Sequence, residues 1–257
     1  MNNKLEEIEI KLKNYLETNY DINNSKISLK YFHIFKTMLV ASQIALSLDL
    51  DERQVYIASL IGLFHDYGRF EQIKIYDTFI DLNSVDHADL SVELLFDKNH
   101  IDMFVDDLTI EEKEIMYYAI KNHNKLAIQP DLTPIQNLFC KIARDADKID
   151  IYRVMTTNFT PSKSKVLPIE DDTLKSFYNH ELLKYKSEGD FYYNVLLKLC
   201  WVFDMHFKKS FQILNEQGYL QEYKYYVLLW TNFKIDERVV DCFDYVLKFV
   251  KEKCNEK

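Results

Sequence analysis

The feature that most constrains this chain is its shortage of residues that break helices. Only four glycines and four prolines occur in 257 residues, so few positions favour tight turns. Apolar residues recur at helical spacing near the start, as Leu5, Ile8, Leu12 and Leu16, and no alternation of apolar and polar residues competes with this pattern. The sequence therefore predicts an all-α protein.

The same periodicity predicts the positions of nine helices and several of their caps. Thr109 with Glu112 forms a capping box, Thr133 precedes a proline at a first helical position, and Asp51 and Thr173 are further caps. The predicted helices span residues 4–19, 28–48, 51–65, 86–97, 110–123, 134–155, 173–187, 190–215 and 236–253.

One polar segment divides the chain. Residues 156–172 contain two prolines and several polar residues, which indicates a long connection between two helical halves. The second half is rich in aromatic residues, so we expect it to pack on the first half. We therefore predict a helical core over residues 1–155 and a C-terminal helical extension over residues 156–257 packed on that core.

Composition limits the binding partners and the cellular compartment that we expect for this protein. The net charge of -9 argues against a nucleic-acid partner, because such a surface must be basic to release counterions from phosphates. No stretch approaches the ~18 apolar residues that span a membrane. The start of the chain does not resemble an export signal, and the four cysteines show no paired spacing. We expect a cytoplasmic protein with reduced thiols.

The stretch SLIGLFHDYGRFEQ, residues 59–72, places two polar groups at the end of a buried run. His65 and Asp66 follow six largely apolar residues, and burying each without a partner would cost ~1 to 3 kcal/mol. A divalent metal ion would satisfy both, because imidazole nitrogen and carboxylate oxygen suit zinc, iron and manganese and a carboxylate can bridge two ions. In helical bundles such ligands come from several inward-facing helices.

Further residues of the same types occur in a specific order. His33 precedes the pair His65 and Asp66, and Asp147 follows within the segment RDADKID. This order of H, HD and a later D resembles the HD-domain metal-dependent phosphohydrolases over about residues 25–155. The resemblance implies that the core is an HD-domain helical bundle.

Two more histidines narrow the resemblance to a branch. His87 and His123 lie between the HD pair and the final aspartate, which resembles the dinuclear branches with an H, HD, H, H, D ligand set, among them the HD-GYP phosphodiesterases and the symmetric diadenosine tetraphosphatases. It implies two divalent ions, with manganese, iron, zinc, nickel and magnesium not distinguished. The first ion would be held by His33, His65, Asp66 and Asp147, and the second by His87, His123 and the shared Asp66.

The segment HDYGR adds a cation to this set. HD-GYP and related hydrolases carry a lysine or arginine three residues after the HD aspartate, where its charge meets substrate phosphate, and here that residue is Arg69. The resemblance thus implies catalytic roles for Asp66 and Arg69 and a substrate-binding role for Arg69. Lys125 and Arg144 are further candidates for substrate binding, because their charges could neutralise phosphate. The GYP motif is absent, which disfavours a cyclic-di-GMP phosphodiesterase. No GxxxxGK[ST], GxGxxG, HExxH or GxSxG motif occurs.

The reaction implied is hydrolysis of a phosphate ester or anhydride, with a nucleotide or another small phosphorylated molecule as substrate. A hydroxide bridging the two ions would attack phosphorus, since such ions lower the pKa of bound water to about 7. Two alternatives stay open: HD-type di-iron oxygenases use the same ligands, and the domain could be a non-catalytic nucleotide-binding regulatory module. Asp86 and Asp145 are expected to support ligands or face solvent, and His180 and His206 to be structural, while His100 has no assigned role.

Overall fold

The computed structural model describes residues 2–157, 165–186 and 190–256. Every regular element in these ranges is helical, so the prediction of an all-α protein is confirmed. None of the helices in these ranges is long and apolar enough to cross a membrane. The chain divides into two compact units, residues 1–150 and 151–257, whereas the sequence placed the boundary after residue 155. The predicted packing of the second half on the first stays a prediction.

The first unit contains the helices that carry the His and Asp pattern. A 3-10 turn over Asp81–Asn83 precedes α5, and a π-helical turn over Glu93–Asp97 follows it. The last helix of the unit, α8, continues past residue 150. The helices are α1 (Asn2–Asn19), α2 (Ser25–Ser47), α3 (Glu52–Phe64), α4 (Tyr67–Tyr76), α5 (His87–Val92), α6 (Ile101–Phe104), α7 (Ile110–Asn122) and α8 (Pro134–Thr157).

The second unit is organised around its last helix, α13, which packs against α10, α11 and α12. One face of α13 buries Val239, Phe243, Val246 and Val250, whose spacing keeps them on one side of a helix. A 3-10 turn over Cys200–Asp204 follows α10. The helices are α9 (Asp171–Tyr178), α10 (Phe191–Leu199), α11 (Lys208–Gln217), α12 (Tyr219–Trp230) and α13 (Glu237–Asn255).

Three of the four predicted caps are confirmed. Thr109 and Asp51 each form a full capping box at the start of α7 and α3, and Thr133 exchanges the equivalent bonds with Gln136 ahead of α8. The prediction for Thr173 is wrong, because α9 already begins at Asp171 and Thr173 is buried within it.

Other differences arise where local signals were weak. The helix α4 was missed because Gly68 suggests a break, and α12 was missed because it starts without a side-chain cap. The predicted helix over residues 190–215 is interrupted, since the chain leaves the helical region at Met205. Residues 158–164 of the predicted connection and residue 187 of a predicted helix lie outside the described residues.

A glycine sets the distance between α2 and α3. A Cβ atom placed on Gly62 would lie 2.7 Å from the Cα atom of Met38 and 2.8 Å from the carbonyl oxygen of Thr37. These neighbours are backbone atoms and cannot move independently of α2. The absence of a side chain at Gly62 therefore allows α3 to approach α2 closely, which brings together the two helices that carry His33 and lead to His65.

We expect Gly62→Ala to destabilise the protein by about 2 to 3 kcal/mol, because the added methyl group forces α2 and α3 apart. Urea unfolding followed by circular dichroism measures this change. The exposed α2 substitution Gln43→Ala is the control and should stay within about 0.5 kcal/mol of the parent. Equal midpoints for Gly62→Ala and the parent would contradict the close-packing role.

Candidate metal centre

The six predicted metal ligands converge in the first unit, and all six are buried. They come from different elements, so the site depends on the packing of several helices. His33 lies within α2, His65 follows α3, Asp66 joins α3 to α4, His87 begins α5, His123 follows α7 and Asp147 lies within α8.

Two of the histidines occupy equivalent places at helix ends. The ring Nδ1 of His65 lies 2.8 Å from the carbonyl oxygen of Gly62, and Nδ1 of His123 lies 2.6 Å from that of Ile120. The last carbonyls of a helix lack a helical N–H partner, so each can accept a hydrogen bond from the ring. Donation by Nδ1 leaves the Nε2 lone pair of each ring free to bind a cation.

The other two histidines donate to carboxylates instead. Nδ1 of His33 lies 2.7 Å from Asp150 Oδ2, and Nδ1 of His87 lies 2.6 Å from Asp81 Oδ2. Neither aspartate was predicted as a site residue. Asp150 lies three residues after Asp147 and thus on the same face of α8, a spacing that could have revealed it. Asp81 lies in the turn before α5, where no sequence signal marks it.

Four side chains form the first group of potential ligands. His33 Nε2 lies 3.1 Å from His65 Nε2 and 3.0 Å from Asp147 Oδ1. His65 Nε2 lies 3.4 Å from the same Asp147 oxygen. Asp66 Oδ2 completes the group at 3.4 Å from His33 Nε2 and 3.5 Å from His65 Nε2.

The second group lies on the other side of Asp66. His87 Nε2 lies 3.0 Å from His123 Nε2, and Asp66 Oδ1 lies 3.4 Å from the former and 3.6 Å from the latter. Each oxygen of Asp66 thus faces a different pair of histidines. Asp66 belongs to one potential metal-binding group with His33 and His65 and to another with His87 and His123. A further group of His65, His123 and Asp147 joins residues from both sides.

These residues fit divalent cations. Two ligand atoms each about 2.1 Å from one ion lie roughly 3.0 to 3.4 Å apart, which is the range found between the facing nitrogens. Among the described residues, Asp66 Oδ1 is buried without a hydrogen-bond donor. Where both facing nitrogens are unprotonated they repel one another, and a cation between them would relieve this cost and give the bare Asp66 oxygen a partner.

The two carboxylates are ionised in this setting. Burial opposes the charge of Asp66, but Lys30 and the surrounding histidines outweigh it and hold the pKa of this carboxyl well below its usual range. Burial likewise opposes the charge of Asp147, and hydrogen bonds with His33 and His65 hold its pKa well below its usual range. Both side chains are therefore available as anionic ligands at neutral pH.

The histidines differ in their protonation. Burial lowers the pKa of His65, and burial together with the charge of Arg69 lowers the pKa of His87 to about 4. Burial and Lys30 would also lower the pKa of His33, but its contacts with Asp147 and Asp150 raise the pKa above its ordinary value. Without a metal, these carboxylates therefore favour the protonated form of His33.

One positively charged side chain lies on each side of Asp66. Lys30 is buried and its ammonium contacts Asp66 Oδ2, while Arg69 Nε lies 3.7 Å from Asp66 Oδ1. Both cations also lie 5.7 Å from the centre of the Phe79 ring. Lys30 was not predicted, although it precedes His33 by three residues and therefore lies on the same face of α2.

The guanidinium of Arg69 is held through its Nη1 atom. Its Nη1 donates to Gln72 Oε1 at 2.7 Å, to the Phe79 carbonyl at 2.8 Å and to Asp81 Oδ1 at 2.9 Å. Its buried Nε has no hydrogen-bond partner among the residues that the structure describes. Arg69 is thus held beside Asp66 with donor capacity left for a ligand.

The other predicted substrate-binding cations contact the protein itself. Lys125 Nζ pairs with Asp86 at 2.6 Å and Asp89 at 3.1 Å, and buried Arg144 donates to the carbonyl of Asn122 at 2.9 Å. Their roles in substrate binding stay predictions. Asp86 also caps α5 with its side chain.

Other residues considered in the sequence have contacts of their own or are buried in a helix. His100 contacts the Tyr67 hydroxyl at 3.1 Å, and His180 contacts the Tyr245 hydroxyl at 2.7 Å. Asp145 is buried within α8.

The glycine of HDYGR has a packing role beside the ligands. A Cβ atom on Gly68 would lie 2.6 Å from the His87 carbonyl oxygen and 2.6 Å from the Ser91 nitrogen, and the Gly68 N–H donates to Ser91 Oγ at 2.7 Å. The first turn of α4 therefore contacts the first turn of α5 directly. This contact places Asp66, just before α4, next to His87.

The neutral state of buried His87 predicts acid sensitivity of the metal-free protein. Below pH 6.5 the unfolded chain binds a proton at this residue, whereas the folded protein does so only near pH 4. Stability is therefore lost as pH falls through this window, by on the order of 2 kcal/mol between pH 7.5 and 5. We expect His87→Gln to lose this part of the pH dependence in urea unfolding with excess chelator. Gln43→Ala should keep the full dependence, and an unchanged dependence in His87→Gln would contradict the account.

A comparison with known protein families matches residues 31–152 to the HD domain. The matched range contains all six convergent residues from His33 to Asp147. A search of curated proteins and a search of solved structures each found no match. HD domains are typical of metal-dependent hydrolases. Residues 31–152 therefore match the HD domain, in agreement with the order of the histidines and aspartates within this range.

Proposed function

We propose that this protein is a metal-dependent phosphohydrolase that binds two divalent ions and cleaves a small phosphate ester or anhydride, with a nucleotide as the favoured substrate. The observation that carries the proposal is the position of Asp66. Its two oxygens face separate histidine pairs, and Arg69 lies beside one of them with a free donor.

The protein's own residues would hold the ions by charge and by ring orientation. His33, His65, Asp66 and Asp147 would form one site, and His87 and His123 with the same Asp66 the other. When bound, divalent ions polarise phosphate oxygens and make hydroxide available from water at neutral pH. Because each ring has an acceptor for its Nδ1 proton, its Nε2 atom would be oriented to hold an ion without reorganisation.

Arg69 and Lys30 would stabilise the negative charge of the substrate. A phosphoryl group in transfer spreads charge over its oxygens, and fixed cations next to it lower the barrier. The buried Nε of Arg69 can donate to such an oxygen. Lys30 contacts Asp66 directly and would share its charge between this carboxylate and the substrate.

The preference for a nucleotide rests on Phe79. Its ring is half-buried and lies next to both cations, so it is positioned beside any phosphate that they bind. Bases stack on aromatic side chains with about 1 to 3 kcal/mol per base. A phosphate attached to a flat, apolar group would contact the two cationic side chains and the Phe79 ring at once.

A cytoplasmic location completes the proposal. All four cysteines are free thiols, and three of them are buried. Unpaired thiols are typical of proteins in a reducing compartment.

The proposal is tested with purified protein that is stripped with chelator, reloaded with manganese and assayed for phosphate release from p-nitrophenyl phosphate and a nucleotide panel. We expect manganese-dependent release, and a loss on the order of 10³-fold in both His65→Ala and His65→Gln, because the first ion loses a ligand. The control His180→Gln, which changes a histidine of the second unit, should remain within about twofold of the parent. Circular dichroism verifies that each variant is folded.

Three outcomes would contradict the proposal, and two of them favour the alternatives. Oxygen consumption with no phosphate released would indicate an oxygenase. Tight nucleotide binding with no turnover at any metal concentration would indicate a regulatory module. Phosphate release that survives in His65→Ala would show that the activity does not depend on this centre.

A further inference from the structure

One carboxylate outside the proposed ligand set contacts both a proposed metal ligand and the arginine proposed to bind phosphate. Asp81 Oδ2 lies 2.6 Å from Nδ1 of the proposed metal ligand His87, and its Oδ1 accepts from Arg69 Nη1 at 2.9 Å. Gln72 Nε2 donates to the same Oδ1 at 2.9 Å. Asp81 belongs to the 3-10 turn before α5 and reaches the site from outside.

We propose that Asp81 is the positioning residue that ties the second metal site to the phosphate-binding arginine. This inference rests on the proposed function, since it gives His87 and Arg69 the roles assigned there. One oxygen of Asp81 keeps the His87 proton on Nδ1, so that Nε2 is free for a metal. The other oxygen holds Arg69 next to Asp66.

The two oxygens of Asp81 have different neighbours, so replacing this carboxylate with the amide of asparagine should change the His87 contact specifically. Arg69 and Gln72 both donate to Oδ1 at 2.9 Å, whereas the Asn124 amide lies 3.4 Å from Oδ2. In Asp81→Asn the amide oxygen therefore takes the Oδ1 position, where the two stronger donors are. The NH₂ group then replaces Oδ2 and faces His87 Nδ1. Two donors cannot share that hydrogen bond, so the His87 proton moves to Nε2 and blocks the metal-binding lone pair.

Asp86 provides a matched control for this change. It lies one residue before His87, but its contacts are the first N–H groups of α5, the Asn124 amide and Lys125. Asparagine caps a helix as well as aspartate. Asp86→Asn therefore makes the same chemical substitution beside His87 while leaving the His87 ring and Arg69 in place.

The first measurement is the tautomer of His87 by nitrogen-15 NMR on the folded, chelator-treated full chain at pH 7.5, which needs neither metal nor catalysis. We expect an Nδ1-protonated ring in the parent and in Asp86→Asn, and an Nε2-protonated ring in Asp81→Asn. Elemental analysis after manganese loading should then show about two ions per chain falling toward one in Asp81→Asn only. Asp81→Glu, which keeps both acceptor oxygens, should retain more of the second ion than Asp81→Asn.

The second measurement is the binding of inorganic phosphate to the manganese-loaded protein by calorimetry. Asp81→Ala should weaken binding several-fold, and Arg69→Gln should cost less affinity in the Asp81→Ala background than in the parent, because the two residues act together. Fully additive losses would overturn the link to Arg69. An unchanged His87 tautomer in folded Asp81→Asn would overturn the link to the metal site. Absence of hydrolysis in the parent, with the tautomer change present, would instead refute only the proposed function.

Discussion

The structure of the first unit depends on one buried, ionised carboxylate. Asp66 is almost completely enclosed, yet its charge persists because Lys30 and four imidazole rings surround it. Burying a charge without partners would cost several kcal/mol. The contacts with Asp66 therefore also hold together the helices that supply its partners. The buried apolar run of α3 therefore leads directly to His65 and Asp66, where the charged carboxylate is held in a fixed position by its partners.

Small residues make this convergence possible. Gly62 allows α3 to approach α2, and Gly68 allows α4 to contact α5. The helix ends then act as acceptors, since the carbonyl oxygens of Gly62 and Ile120 orient His65 and His123. A chain with only four glycines thus places two of them where the backbone approaches the site, and the positions of the potential ligands follow from helix packing.

Much of this organisation could be predicted from the sequence, and the rest has physical reasons for being hidden. The helices and the order of His33, His65, Asp66, His87, His123 and Asp147 follow from periodicity and residue type. The supporting contacts do not, because Asp81 comes from an irregular turn whose path depends on tertiary packing. Lys30 was overlooked because a lysine on a helix usually points to solvent. The helix α4 was missed because a glycine that serves close packing resembles one that ends a helix.

We propose that Asp66 separates two cation sites. Crystals of the full chain grown with manganese, measured by anomalous scattering, test it most directly. We expect two peaks, one between His33, His65 and Asp147 and one between His87 and His123, with an oxygen of Asp66 next to each. A single peak at full manganese loading, or peaks that do not contact Asp66, would contradict it.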